Sequence, residues 1–167
     1  EALAGVLAQL EGFDAPAGQL QAGFHHVGQL CRRIGMDIRP VNVLPKALAS
    51  YERLFRACFP SASHLTAEYL QWLYADNPAG HAIGCDAWEG DVLAAHYVCV
   101  PVDAVVAGKP VRVMLSLNTA THPDFQGKGL FTRLADATYD IGAREGIAAV
   151  YGVANANSTP GFLRKLG

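Results

Sequence analysis

The sequence predicts an α/β chain of the α+β type: a mixed, mostly antiparallel sheet with flanking helices, preceded by a separate helical segment. Three observations carry this expectation. Apolar runs at strand spacing follow one another from Ala82 to Ala120, separated by turn signals. A glycine turn then joins the last of them to a helical stripe and a further strand, while the first 35 residues carry only helical periodicity. With 167 residues, of which 51% are hydrophobic and 17% charged, the chain is long enough to bury a real core.

In the opening segment, "EALAGVLAQL" places Leu3, Leu7 and Leu10 on one helical face. After Pro16 and Gly18, a second stripe runs through Leu20, Phe24, Val27, Cys31 and Ile34. Two helices are expected, and residues 1–35 are assigned as a helical N-terminal segment, either the tail of a preceding domain or an added packing layer. His25 and His26 invite a metal reading. Neighbours on a helix point about 100° apart, however, and no third ligand is nearby, so a helix surface is the expectation.

From Met36 the texture changes. "MDIRPVNVLP" reads as a short strand, and "PKALASYERLFRACF" as a helix with Pro45 in its first turn and Leu48, Tyr51, Leu54, Phe55 and Cys58 on one stripe. "TAEYLQWLYADNP" follows as a second helix, with Thr66 as its cap, Leu70, Leu73 and Tyr74 on its apolar face, and Pro78 and Gly80 ending it. "AIGCDAW" and "VLAAHYVCV" flank Glu89-Gly90-Asp91, and "VRVMLSLNTA" follows a turn at Gly108-Lys109-Pro110, which makes three antiparallel strands in meander order. In the third, strict alternation puts Val111, Val113, Leu115, Leu117 and Thr119 on one face and Arg112, Met114, Ser116 and Asn118 on the other. Leu130, Leu134, Ala137 and Ile141 then mark a helix to about Arg144 that Gly146 terminates, and "IAAVYGVA" is one more strand.

Composition narrows the partners. A formal charge of −2 without a polybasic tract speaks against nucleic acid or an anionic membrane surface. No run of about 18 apolar residues suggests a membrane span, and no basic-then-apolar leader opens the chain, so a cytoplasmic protein is expected. Cys31, Cys58, Cys85 and Cys99 form no C-x-x-C pair and no zinc spacing. They read as buried free thiols in a reducing compartment, with no metal.

The chemistry centres on "THPDFQGKGLF", residues 121–131, where a strand passes through glycines into a helix. The first N–H groups of a helix lack intrahelical acceptors, and the aligned peptide dipoles place partial positive charge there. Glycine lets an anion approach without a Cβ in the way. A nucleotide-binding P-loop is excluded, since His122 stands where its first glycine belongs and Gly129 follows Lys128 where a hydroxyl is needed. A dinucleotide fingerprint is excluded because Thr132 replaces its third glycine and "IAAVYGVANAN" supplies no carboxylate.

Gln126, Gly127, Lys128, Gly129 and Leu130 resemble the pyrophosphate loop, [R/Q]-x-x-G-x-[G/A], of the GNAT superfamily of acyl-CoA-dependent N-acyltransferases, with Phe131 departing from the final small residue. The order of elements from Met36, together with "WLYADNPAG" and "NANSTPGFLRKLG", is similar to the family's over roughly residues 36–167. The resemblance implies a twisted GNAT-like sheet that is C-terminally incomplete, and the chain, opening on Glu1 and closing on "FLRKLG", is expected to be a piece of something longer.

It also implies roles. An acetyl-CoA or other acyl-CoA thioester would lie along the splayed strand end at Leu117, Asn118 and Thr119, where the backbone of Leu117 and Asn118 polarises the carbonyl. Gln126 through Phe131 would wrap the pyrophosphate, Thr132 would add a hydroxyl, and Asn155 and Asn157 would touch the pantetheine arm. An amine acceptor must lose a proton, and His96 is the candidate base nearest the expected cleft, competing with a structural role. Glu89 and Asp91 are expected to be solvated, and His122 to fix the loop. Many family members carry an acidic tyrosine where Leu163 stands, so no acid is named. The expected activity is N-acetyl transfer to an amine. The alternative is a non-catalytic acyl-CoA-binding or scaffold module of the same fold.

Overall fold

The computed structural model describes residues 35–153; the expected N-terminal helices, Asn155, Asn157 and Leu163 lie outside them. The described chain forms one five-stranded sheet in the order β1-β2-β3-β4-β5, comprising β1 (Asp37–Pro40), β2 (Ile83–Glu89), β3 (Val92–Val106), β4 (Lys109–Thr121) and β5 (Ala149–Gly152). All neighbours pair antiparallel except β4 and β5, which run parallel. Helices α1 (Pro45–Cys58) and α2 (Ala67–Tyr74) connect β1 to β2, and α3 (Leu130–Arg144) makes the crossover from β4 to β5.

Local chemistry accounts for these elements. In α1, Pro45 sits in the first turn and the expected stripe is buried at Leu48, Tyr51, Leu54 and Phe55, with Cys58 half-buried. In α2 the Thr66 side chain accepts the Tyr69 N–H (3.2 Å), as an N-cap should, and Leu70 and Tyr74 are fully buried. Helix α3 ends where Gly146 adopts a φ of 79° and the Ile147 N–H bonds back to Gly142.

Two cores result. On one face α3 packs Leu130, Leu134 and Ala135 against Cys85, Tyr97, Cys99 and Met114; on the other α1 and α2 pack Tyr51, Phe55, Leu70 and Tyr74 against Val98, Val100 and Ala120.

Two sequence expectations are corrected. The β3–β4 hairpin turns at Ala107-Gly108, both with positive φ (51° and 77°), so β3 runs on to Val106 and Pro110 lies within β4, paired with Val105. Strict alternation along β4 also fails. Val98 pairs with Leu117 and His96 with Ala120, so Asn118 and Thr119 together oppose Tyr97. That is a β-bulge, and Asn118 takes the extra residue at a φ of 48°. As a result Asn118 bonds on the α1/α2 side, the side of Leu117 and Ala120, instead of sharing a face with Met114 and Ser116.

Packing is tightest at Gly84, where an added methyl would collide with the Tyr97 carbonyl oxygen and lie 2.9 Å from Val98 Cα. The obstacle is backbone and cannot rotate away. Gly84→Ala is therefore expected to destabilise the protein by about 1–3 kcal/mol, read as a lower denaturation midpoint at unchanged m-value.

Candidate functional site

The end of β4 leads through a short 3-10 turn, Pro123–Phe125, into the glycine loop and α3. His122 caps this turn, its Nδ1 accepting the Asp124 N–H at 3.3 Å, while its own N–H donates to the Ala94 carbonyl, so it ties the turn to β3. Gly127 and Gly129 adopt φ of 76° and 70°, the left-handed region open to glycine at little cost. A Cβ at either would meet nothing within 4 Å. The glycines are thus required by backbone conformation, and they leave the peptide face bare toward solvent.

Gly129 is the N-cap of α3, and no side chain caps the helix, whose opening turn bears the positive end of its dipole. Gln126 and Lys128 are exposed, and the Lys128 ammonium sits over the Phe125 ring, 4.6 Å from its centre. Leu130 points into the core at 2% exposure, and Thr132 is half-buried in the first turn. Phe131 leaves the loop uncrowded because its ring turns inward, edge-on to Tyr97 with centroids 5.7 Å apart.

Beside this loop lies the C-terminal end of β4. The β4–β5 ladder runs from Val113/Ala149 to Ser116/Gly152, and the described residues carry it no further, so Leu117, Asn118 and Thr119 follow the last paired position. Three buried side-chain atoms lack partners among the described residues: Thr119 Oγ1 at the strand end, Arg133 Nη1 one helical turn beyond the loop, and Thr138 Oγ1 further along α3. Unsatisfied buried donors are uncommon and call for an explanation. A bare glycine turn at a helix start, an orphaned hydroxyl at the strand end and an orphaned guanidinium nitrogen fit the phosphates and amide-rich arm of coenzyme A. Arg133 escaped the sequence reading, its only signal being a basic residue in the opening turns of the loop's helix.

His96 lies on the α1/α2 side, fully buried, with both ring nitrogens engaged. Nδ1 is 2.6 Å from Asp86 Oδ1, and Nε2 is 3.2 Å from the Tyr74 hydroxyl. Asp86, 1% exposed and paired with His96 across β2 and β3, accepts the Tyr51 O–H at 2.7 Å on its other oxygen. The Tyr51 oxygen accepts the Asn42 N–H, and the Tyr74 oxygen accepts the Asn118 Nδ2–H, both at 3.2 Å. One assignment satisfies every member: Asn118 donates to Tyr74, Tyr74 to His96 Nε2, and His96 Nδ1–H to the Asp86 carboxylate. Burial is the main cause raising both tyrosine pKa values, so the phenols stay protonated. Sequence reading missed Tyr51, Tyr74 and Asp86 as members of this chain, although Asp86 and His96 are lone polar residues inside apolar runs.

The described cysteines take no part in this chain of hydrogen bonds. Burial pushes the Cys85 and Cys99 thiols up to about 12, and Cys58 is also raised by burial. No cluster of three or more metal-type side chains occurs among the described residues.

The sequence matches the family model described as acetyltransferase (GNAT) domain over residues 37–167. No curated protein matches it. Several solved structures share the fold. An aminoglycoside acetyltransferase from an uncultured soil metagenomic sample, in complex with sisomicin, aligns at a TM-score of 0.62 and 18% identity, covering 79% of this chain and 87% of the other. Glucosamine-6-phosphate N-acetyltransferase from Arabidopsis thaliana aligns at 0.59 and 13% identity, covering 79% and 90%. A structure described as a predicted acetyltransferase with acetyl-CoA, from Clostridium acetobutylicum, aligns at 0.58 and 18% identity, covering 77% and 87%.

The buried chain makes its own demand on stability. Asp86→Ala leaves the His96 and Tyr51 donors without their acceptor, and a loss of about 1–3 kcal/mol for each is expected in chemical denaturation.

Proposed function

Because the chain belongs to the GNAT acetyltransferase family, we propose that it moves an acyl group, acetyl in the first instance, from a coenzyme A thioester to an amine by direct attack. The observation that carries this reading is the bare Gly127-Lys128-Gly129 turn at the start of α3, which follows the C-terminal end of β4. Backbone amides there, with Lys128 and Arg133 nearby, suit a pyrophosphate. The Thr119 hydroxyl suits an amide or carbonyl oxygen of the arm. Thr132 and, beyond the described residues, Asn155 and Asn157 are further contacts we assign to the donor.

The reaction needs little from side chains. The amine nitrogen attacks the thioester carbonyl carbon, the carbonyl oxygen gains charge, and a main-chain N–H at Leu117 or Asn118 stabilises that charge before the carbon–sulfur bond breaks and the thiolate leaves. As the carbon–sulfur bond breaks, the nitrogen loses a proton that the departing thiolate can take; before attack, an amine with a pKa of about 10.4 must also shed one. His96 is a poor recipient for that proton, being fully buried with both nitrogens occupied. We assign the proton to water and give His96 a supporting role. Small amine-bearing sugars are the acceptor class to try first, given the aminoglycoside and glucosamine-6-phosphate enzymes that share the fold.

Calorimetry with acetyl-CoA tests the donor site. Gly129→Phe must force a side chain into a φ of 70° at the mouth of the turn, and affinity is expected to fall at least about tenfold. Unchanged affinity removes the pyrophosphate assignment. Release of free thiol from acetyl-CoA across an amine panel tests transfer. Amine-dependent release is expected, whereas binding without release from any amine identifies a donor-binding module instead.

A further inference from the structure

Resting on the reading that the β4 bulge polarises the acyl carbonyl, we infer that Tyr74 is a positioning residue of the reaction. Its hydroxyl, fixed by His96 and Asp86 behind it, holds Asn118 in the left-handed conformation that aims the bulge amides at the thioester.

The bulge needs such a hold. Asn118 and the hairpin-turn Ala107 are the non-glycine residues with positive φ among those described, and Asn118 sits inside a strand, where the ladder would otherwise draw it back to extended geometry. Asparagine tolerates this region better than most residues but does not prefer it. Among the described residues its side chain has one hydrogen-bond partner, the Tyr74 oxygen at 3.2 Å.

That oxygen is itself located with care. Tyr74 has no exposed surface, its ring lies at 29° to His96 with centroids 5.8 Å apart, and Tyr51 meets it edge-on at 6.2 Å. His96 is held by Asp86, and Asp86 by Tyr51, whose oxygen accepts the Asn42 N–H. Tyr51, Tyr74, Asp86, His96 and Asn118 come from α1, α2, β2, β3 and β4 respectively, so the position of one amide group is referred to the whole α1/α2 face of the sheet.

The same geometry argues against proton transfer along the chain. Its outer end is a carboxamide nitrogen, which donates a hydrogen bond but does not accept a proton, and the phenol behind it is sealed from solvent. The chain is built to hold a group in place.

The test uses the full chain. Tyr74→Phe removes one oxygen from a buried ring, and kcat is expected to fall roughly ten- to hundredfold, with KM for acetyl-CoA little changed because the glycine turn is untouched. Adding Asn118→Gly to Tyr74→Phe is expected to recover most of kcat, since glycine takes a φ near 48° without a hold. The denaturation midpoint falls in both variants, as His96 Nε2 loses its partner in each. A structural role alone predicts no recovery, so an unrestored double variant, or an unchanged kcat in Tyr74→Phe, overturns the proposal.

An independent reading comes from the Cα and Cβ chemical shifts of Asn118. They are expected to be left-handed in the parent and to move toward extended values in Tyr74→Phe. If the parent releases no thiol with any amine, the transfer reading fails on its own account. The shifts still decide the geometry, and no movement overturns it.

Discussion

Asp86 is a carboxyl group with almost no access to water, in the middle of a sheet, and the arrangement of the α1/α2 face follows from what that requires. Removing a charge from water costs several kcal/mol unless hydrogen bonds and an opposite or polarisable partner replace the solvent. Here the replacements are Tyr51 and His96, one from a helix and one from the adjacent strand. Neither can shift without uncovering the carboxyl. Tyr51 and Phe55 close over the imidazole, with centroids 4.4 and 5.5 Å from it, which anchors α1 on the sheet, and Tyr74 does the same for α2. Generic apolar packing would let these helices slide; a directional chain does not.

The other end of the chain meets the place where the sheet becomes irregular. One extra residue in β4 breaks the alternation, brings Asn118 to Tyr74 and lets Ala120 resume the α1/α2 face opposite His96. Paired neighbours make strand backbone unavailable to ligands, because each N–H and C=O is already used in the ladder. A bulge interrupts that ladder and so frees strand backbone without leaving a long bare edge. The orphaned Thr119 hydroxyl falls in the same few residues. A glycine turn follows directly, so the proposed donor site draws on backbone groups from both the strand end and the helix start.

Periodicity and turn chemistry made most of this fold legible. The helical stripes of α1, α2 and α3, the Thr66 cap, the meander and the strand after α3 all follow from local rules, as does the glycine turn at the start of α3. Two kinds of feature were not legible. A bulge changes the period for a single residue, so "LSLNTA" reads as unbroken alternation and nothing in it says where the extra residue lies. The buried chain depends on contacts between residues far apart in sequence, Tyr51 with Asp86 and Tyr74 with Asn118, and no local pattern joins them. Phe131 shows the same limit in reverse. It stands where the resembled loop has a small residue, and only the position of Tyr97 across the core shows where its ring goes.

Donor recognition of the kind proposed rests on backbone direction. Gly127 and Gly129 are constrained by positive φ, whereas Gln126 and Lys128 are exposed and can change without altering the path of the chain. Phe131 is tolerated for a related reason: what the turn requires is a vacant outer face, and any side chain that packs inward provides it. Asn118 belongs to a different class, because a non-glycine residue held left-handed in a strand needs a partner and the partner needs support. Each backbone-based function therefore carries a hidden requirement on side chains. In the loop glycine meets that requirement alone; in the strand the proposal assigns it to a tyrosine, a histidine and an aspartate that are all buried.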